Sequence, residues 1–211
     1  MKPKEEFYEK QAAELIKNLH RRNMDAFYCP DCASAVDKAM SLIEKGSTVS
    51  FGGSMTLSEC GMMDALRNAD LQLIDRSCAK SPEETAGIYH KALDADYYLM
   101  SSNAITLDGQ LVNVDGNGNR VAALIYGPSH VIVMAGMNKV VKDVESAFKR
   151  IHTLTAPTNA MRLSLKTPCQ ASGVCLDCTS PDCICAQSVI TRYSRTKGRI
   201  TVILIGETLG Y

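Results

Sequence analysis

The segment His130-Val131-Ile132-Val133-Met134-Ala135-Gly136 decides the fold class, because it is a continuous apolar run rich in β-branched residues. Such residues favour strands, and a run without polar alternation is typical of a strand buried on both faces. Gly136 then marks a turn. We therefore expect a parallel sheet that is covered by helices on each side.

Similar apolar runs recur along the chain and alternate with segments of helical periodicity. The other predicted strands of this kind are 24–28, 48–51, 71–74, 97–100 and 200–205. Asp31 and Ser81 are predicted helix N-caps, and further helices are expected over 57–68 and 138–151. The alternation predicts an α/β domain with a mostly parallel sheet covered by helices on both faces.

One stretch interrupts this alternation. Residues 104–106 and 111–114 are short apolar runs on either side of Asp108-Gly109. An Asp-Gly pair between two such runs predicts a β-hairpin with a type I′ turn. We expect this hairpin to be a small insertion in the sheet.

Composition limits the possible classes of protein. The chain has 211 residues, 45% of them hydrophobic, with 23 basic and 23 acidic side chains. We expect one domain over residues 1–211, with no broad attraction to nucleic acid or to a membrane. There is no apolar run of bilayer length, and the charged start Met1–Glu6 is unlike a secretion signal, so we expect a cytoplasmic protein.

Five of the nine cysteines fall within a single loop, which we define as residues 167–186 and name the cysteine loop. Clustered thiols in a reducing compartment are typical of metal sites or redox chemistry. An all-thiolate set favours an iron–sulfur cluster, with zinc and a dithiol–disulfide switch as alternatives. The preferred ligands are Cys169, Cys175, Cys178 and Cys185. Cys183 is a weaker alternative because it crowds Cys185.

Polar loops follow several of the predicted strands. In parallel sheets such loops meet at the carboxyl ends of the strands, where ligands usually bind. Glycine-rich backbone, an Arg before a helix and a Lys after a glycine turn indicate a site for a small anion. Its candidate residues are Gly52, Gly53, Ser54, Thr56, Asn103, Asp115, Asn119, Arg120, Asn138 and Lys139. Glu59, Arg120 and Lys139 are the candidates for a catalytic role.

Other cysteines and the histidines carry less information. Cys29-Pro30-Asp31-Cys32 is a CxxC motif at a strand–helix junction, but nothing nearby completes a redox motif, so incidental thiols are favoured. The four histidines are isolated, and none pairs locally with a nucleophile.

Several of these motifs, in order, resemble the LUD (lactate utilisation) domain family. They are the residues 52–57 with Glu59, 103–106, 115–122, 136–143 and the cysteine loop. The chain is most similar to the stand-alone branch with a cysteine-rich loop near its C-terminus. The resemblance implies a fold related to ribose-phosphate isomerase, glucosamine-phosphate deaminase and CoA transferases. It also implies oxidation of lactate alongside an iron–sulfur or flavin oxidoreductase partner.

Three hypotheses follow. The leading one is a redox enzyme or subunit with a [4Fe–4S] cluster that acts on a small carboxylate such as lactate. The second is a non-redox isomerase or transferase that acts on a phosphorylated or CoA-linked molecule, with structural zinc in the loop. The third is a regulatory or scaffold subunit of an oxidoreductase complex. A homo-oligomer is compatible with all three.

Overall fold

The computed structural model describes residues 2–211, which contain ten strands in two sheets. In chain order the strands are β1 (Asp25–Cys29), β2 (Thr48–Phe51), β3 (Gln72–Ile74), β4 (Tyr97–Met100), β5 (Ala104–Thr106), β6 (Leu111–Asp115), β7 (His130–Gly136), β8 (Val140–Val141), β9 (Gln187–Thr191) and β10 (Ile200–Ile205). The larger sheet has the order β1-β10-β7-β4-β2-β3, and all its pairs are parallel. Its six strands are the six predicted ones, so the predicted sheet is confirmed.

Nine α-helices connect these strands in residues 2–211. They are α1 (Pro3–Arg21), α2 (Cys32–Ser41), α3 (Met55–Glu59), α4 (Met62–Arg67), α5 (Pro82–Leu93), α6 (Asn119–Ile125), α7 (Val144–Arg150), α8 (Ala156–Arg162) and α9 (Pro168–Ser172). The predicted caps are confirmed: the Asp31 carboxylate accepts from Ser34 N, and the Ser81 hydroxyl accepts from Glu84 N. Each bond satisfies an amide that the first helical turn leaves without a partner.

Helices cover both faces of the parallel sheet. One core joins α1, α5 and α6 to one face through side chains such as Leu15, Leu19 and Leu124. A second core joins α2, α3 and α4 to the other face through Ala39 and Leu66, among others. Each face of the sheet needs its own cover because β-branched strands such as β7 are apolar on both sides.

The predicted hairpin is present as β5 and β6, and it forms the centre of the smaller sheet β8-β5-β6-β9. Its turn differs from the predicted type I′, which requires positive φ at both Asp108 and Gly109. Only Gly109 has positive φ, and its N–H donates to Thr106 O. The Asp108 carboxylate accepts instead from Thr106 Oγ1 and Gln110 Nε2, which fixes a longer loop.

Two predicted helices have different bounds. The helix expected over 57–68 is divided into α3 and α4 at Gly61, whose φ is +80°. The helix expected over 138–151 begins only at Val144, because Asp143 caps it and the β-branched Val140–Val141 pair joins β5.

The helix that begins at Val144 continues through a π-helical segment, Ile151–Thr155, into α8. Pro157 follows this segment closely and has no N–H to donate to the preceding turn. A wider turn accommodates that break, and π turns within helices are often found at functional sites. No helix in residues 2–211 has both the length and the apolar character needed to cross a bilayer.

Candidate functional site

A cavity of about 470 Å³ opens at the carboxyl ends of the parallel strands. Loops that follow β2, β4, β6 and β7 contribute to its lining, and the π-helical segment and the cysteine loop close its sides. The volume lies in the range typical of small-molecule sites. Of the ten residues predicted for an anion site, seven line this cavity: Gly53, Ser54, Asn103, Asp115, Asn119, Arg120 and Lys139.

Lys139 lies in the 3₁₀ turn between β7 and β8, and only 4% of it is exposed. Its Nζ donates to Thr56 Oγ1 at 2.8 Å and to Ser101 Oγ at 3.0 Å. No carboxylate oxygen of residues 2–211 lies within ion-pair distance of this nitrogen. A buried ammonium held only by neutral hydroxyls is costly, because buried charges are normally paired.

The surroundings of Lys139 favour its neutral form. Burial lowers the pKa of Lys139 to about 7, and the nearby cations Arg150 and Arg120 act in the same direction. Glu59 opposes the shift but does not cancel it. Near neutral pH this amine therefore exchanges readily between its charged and neutral forms.

Arg120 is buried beneath the cavity and is held by the protein itself. Its Nε faces Asp115 Oδ2 at 3.4 Å. Its two terminal nitrogens donate to Ser101 O, Asn113 Oδ1, Asn103 Oδ1 and Val114 O. These contacts engage the planar fork that the sequence suggested would face a ligand. We therefore assign Arg120 to positioning and to the local field, because its charge also lowers the pKa of Lys139.

The glycines after β2 make room for arginines. A Cβ on Gly52 would lie 3.2 Å from Cδ of Arg120, and a Cβ on Gly53 would overlap the guanidinium of Arg76. The Gly52 N–H donates to Leu99 O, so it extends the sheet and does not face the cavity. The close approach of two arginine side chains explains why this turn needs glycines.

Three predicted site residues lie behind the cavity. Thr56 accepts from Lys139 and donates to Leu209 O at 3.4 Å. Glu59 is exposed, and its Oε2 accepts from Gly210 N. Asn138 accepts from Leu209 N and donates to Leu209 O and Gly210 O. Glu59 and Asn138 thus fix the segment after β10 against the cavity floor.

The cysteine loop forms one wall of this cavity. Cys183 and Ile184 line it together with Lys139 and Arg120, which places the two predicted sites next to each other. A Cβ on Gly116 would lie 3.2 Å from the Ile184 Cα, so the loop packs closely on the segment after β6. The other four cysteines of the loop do not line the cavity.

All nine cysteines are free thiols. Burial, together with the neighbouring Cys183, Cys175 and Cys169, raises the pKa of Cys185 to about 12. Those three thiols therefore lie close enough to act on Cys185, whereas Cys178 is not among the groups that do. A four-thiolate donor set suits an iron–sulfur cluster or zinc. In the described chain, however, no three His, Cys, Asp or Glu side chains are arranged to hold a metal ion, so binding would require the loop to close further.

The comparison with protein families identifies the family of this chain. A model of the LUD domain matches residues 12–205, which is nearly the whole chain. The chain belongs to the LUD domain family. This confirms the resemblance suggested by the sequence motifs.

Three solved structures are similar to this LUD-domain protein at low identity. A DUF162 family protein from Deinococcus radiodurans superposes with a TM-score of 0.52 at 10% identity, covering 94% of this chain and 97% of that one. Chaetomium thermophilum eIF2B delta, at 18% identity, has a TM-score of 0.39 and covers 56% and 50%. The eIF2B-beta2-delta2 complex from the same organism, at 16% identity, has 0.42 and covers 82% and 55%. No curated protein matches the chain.

Sequence reasoning missed several cavity residues of the LUD-domain protein. Ser101 and Ser102 directly follow β4, and Arg76 comes two residues after β3. The position of a polar residue just past a strand was a usable signal for all three. Thr155, the last residue of the π-helical segment, and Asn159 of α8 carried no comparable signal.

The CxxC motif at Cys29 and Cys32 lies away from this cavity. Cys29 is buried at the end of β1, and burial raises the pKa of its thiol. Cys32 begins α2, and its pKa is raised to about 12 by burial and by Glu207. Both thiols favour the protonated form, which is the opposite of an activated redox cysteine.

Proposed function

We propose that this LUD-domain protein binds a small organic carboxylate, of the lactate and pyruvate kind, in the cavity between Lys139 and the cysteine loop. The observation that carries the proposal is Lys139 itself: an amine with 4% exposure that two hydroxyls hold and that no carboxylate of residues 2–211 neutralises. A carboxylate ligand supplies the missing counter-charge.

The charges around the cavity support an anionic ligand. Lys139 and Arg120 line the cavity, Arg150 lies close enough to lower the pKa of Lys139, and Asp115 is the carboxylate paired with the guanidinium of Arg120. Arg76 adds a further cation at the cavity wall, where its Nη1 donates to Tyr89 Oη at 3.1 Å. Charges that are partly shielded by protein attract an anion more strongly than the same charges would on the surface.

The hydroxyls and amides around Lys139 suit an oxygen-rich ligand. Ser54, Ser101 and Asn119 line the cavity beside it, so a hydroxy or oxo group next to a carboxylate finds hydrogen-bond partners. Small-molecule sites commonly fix orientation through a few polar groups of this kind. A phosphate group would satisfy the same cations, so inorganic phosphate belongs in the test as a competitor.

The second part of the proposal concerns the cysteine loop. Its thiolates hold a [4Fe–4S] cluster, with zinc as the alternative, and the ligands come from Cys169, Cys175, Cys178, Cys183 and Cys185. Support comes from the proximity of Cys169, Cys175 and Cys183 to Cys185 and from the position of Cys183 at the cavity wall. A bound cluster supplies one-electron transfer, whereas zinc supplies a structural clamp.

Together the two parts describe a redox enzyme or subunit of the lactate-utilisation type. In that role a small carboxylate lies beside an electron-transfer group, and a separate iron–sulfur or flavin oxidoreductase accepts the electrons. The Cys183–Ile184 segment connects the cysteine loop with the carboxylate site, because it lines the same cavity as Lys139.

Calorimetry with lactate, pyruvate and phosphate tests the ligand class. We expect lactate binding at pH 6.5 that is abolished in Lys139→Met and retained in Lys142→Met, because Lys142 is an exposed lysine three residues away. Phosphate binding with no response to either carboxylate would replace the proposal with the phosphorylated-substrate hypothesis.

Metal analysis after purification without oxygen tests the cofactor. Brown protein with stoichiometric iron and sulfide supports the cluster, and Cys185→Ser should lose it while Cys78→Ser, an exposed cysteine outside the loop, should not. Colourless protein with stoichiometric zinc would assign the loop to zinc.

A further inference from the structure

We propose that Lys139 forms a covalent imine with the carbonyl carbon of a small 2-oxo acid bound in the cavity. The inference rests on the proposed function, since it takes the ligand's carboxylate to be bound by the cationic groups of the same cavity. It adds a chemical class of ligand and a covalent role for one named atom, the Lys139 Nζ.

The placement of Lys139 is that of a nucleophile. Lys139 lines a cavity large enough for a small acid, yet the residue is almost entirely shielded from bulk water. A lysine that served only to stabilise the fold would be expected to pair with a carboxylate, and none of those in residues 2–211 is in range.

The neighbours of Lys139 lower its pKa, so that a large fraction of the amine is neutral near pH 7. On the elements packed around it, the charged groups are Glu59 of α3, Arg120 of α6 and Arg150 of α7. Burial and the two arginines outweigh Glu59, and the pKa of the amine falls to about 7. Lysines activated for imine formation are characteristically desolvated or placed beside another cation.

The two hydroxyls provide for proton movement. Ser101 Oγ and Thr56 Oγ1 lie 3.0 and 2.8 Å from Nζ. A hydroxyl can donate one hydrogen bond while it accepts another, so each can pass a proton between the nitrogen and a carbonyl oxygen. Each hydroxyl also donates to a carbonyl, Thr56 to Leu209 O at 3.4 Å and Ser101 to Ser102 O at 3.5 Å. Ser101 is the better placed of the two because it lines the cavity and Thr56 does not.

The reaction balances without an oxidant. The Nζ lone pair attacks the carbonyl carbon, and the π electrons of the carbonyl move to oxygen to form a carbinolamine. The oxygen then leaves as water with the two protons that the amine carried, and the nitrogen and carbon share a double bond. The product is an imine and one water molecule, and reversal of the same steps releases the 2-oxo acid.

Reductive trapping tests the inference on the unmodified chain. The protein is incubated with pyruvate and sodium cyanoborohydride at pH 8, and its intact mass is measured. We expect one reduced pyruvate per chain, and tryptic mapping should locate it in a peptide that spans Val121–Lys142, because a modified Lys139 is not cleaved. Lactate, which has no carbonyl, should give no adduct.

Variants sharpen the assignment. Lys142→Met should trap pyruvate as the parent protein does, whereas Lys139→Met and Lys139→Arg should not. Adducts spread over exposed lysines, or an adduct unaffected by Lys139→Arg, would overturn the inference.

The two proposals fail in different ways. If pyruvate and lactate both bind in calorimetry but pyruvate leaves no adduct, the imine is excluded and the carboxylate site stands. If neither acid binds and no adduct forms, both proposals are excluded.

Discussion

Ser101 and Lys139 are 38 residues apart in the chain, yet a hydrogen bond of 3.0 Å joins the hydroxyl of one to the ammonium of the other. They follow β4 and β7, which are neighbours in the parallel sheet. The carboxyl ends of adjacent parallel strands meet at one edge, so the contact is a direct result of the strand order.

Ser101→Ala should weaken the binding of lactate at pH 6.5 by about tenfold, because the ammonium of Lys139 loses one of its two acceptors. Calorimetry on the folded variant measures the change. Ser58→Ala is the matched control, since the Ser58 hydroxyl is exposed and contacts only Ser54 O. Equal affinities in the two variants would exclude a role for Ser101 in holding Lys139.

Lys139→Met should stabilise the protein at pH 6 by about 1–3 kcal/mol, because it replaces a buried cation without a counter-ion by an apolar chain of similar length. The pKa of Lys139 is about 7 in the folded protein, against 10.5 for an ordinary lysine. The unfolded state thus binds more protons between these values, and the stability of the parent protein rises as the pH rises through this window.

The advantage of Lys139→Met should therefore be complete below pH 7 and shrink at pH 9. Urea unfolding at pH 6 and pH 9 measures both values, with Lys142→Met as the control that changes little at either pH. A variant that is less stable than the parent protein at pH 6 would contradict the predicted cost of the buried amine.

Arg120→Met should destabilise the fold by about 3–5 kcal/mol, because it leaves Asp115 buried without its cation and removes four further hydrogen bonds. Urea unfolding is again the measurement. Arg162→Met removes an exposed arginine that lines the same cavity and contacts only Asn159, so it should change stability by less than about 0.5 kcal/mol. Similar losses in both variants would contradict the structural role of Arg120.

Gly116→Ala should loosen the cysteine loop, because the new Cβ meets the Ile184 Cα at 3.2 Å. Overpacking of this kind costs about 1–2 kcal/mol, which corresponds to labelling of the loop thiols about tenfold faster. The rate of reaction with a thiol reagent, followed by peptide mapping of Cys183, measures it. Gly87→Ala is the control, since nothing lies within 4 Å of its added Cβ.

The parallel sheet could be predicted from the sequence because its signals are local. Strands such as β7 and β10 are unbroken apolar runs, and the caps Asp31 and Ser81 act within three residues. By contrast, β9 was missed: it is short and half-exposed, and it exists because β6 offers it a partner.

The environment of the candidate site depends on contacts that sequence cannot show. The sequence identified Arg120 and Lys139 as cations at strand ends, but not their partners. Arg120 is engaged by Asn103, 17 residues away, and Lys139 by Thr56, 83 residues away. Pairings over such distances are set by the strand order. The sequence alone therefore does not show whether Arg120 and Lys139 have hydrogen-bond partners within the protein.

The pairing of β6 with β9 connects the cysteine loop to the cavity lining through the backbone of the smaller sheet. Asp115, the ion-pair partner of Arg120, lies opposite Gln187, two residues after Cys185. Ladders open from their ends, so this rung is the one that yields first if the loop is pulled away. The cysteine loop continues directly into β9, so opening of this rung would free Asp115, the residue that neutralises the buried arginine, from its partner strand. If the cysteine loop moved away, the Asp115–Arg120 ion pair would be disturbed, and the charge next to a bound ligand would change.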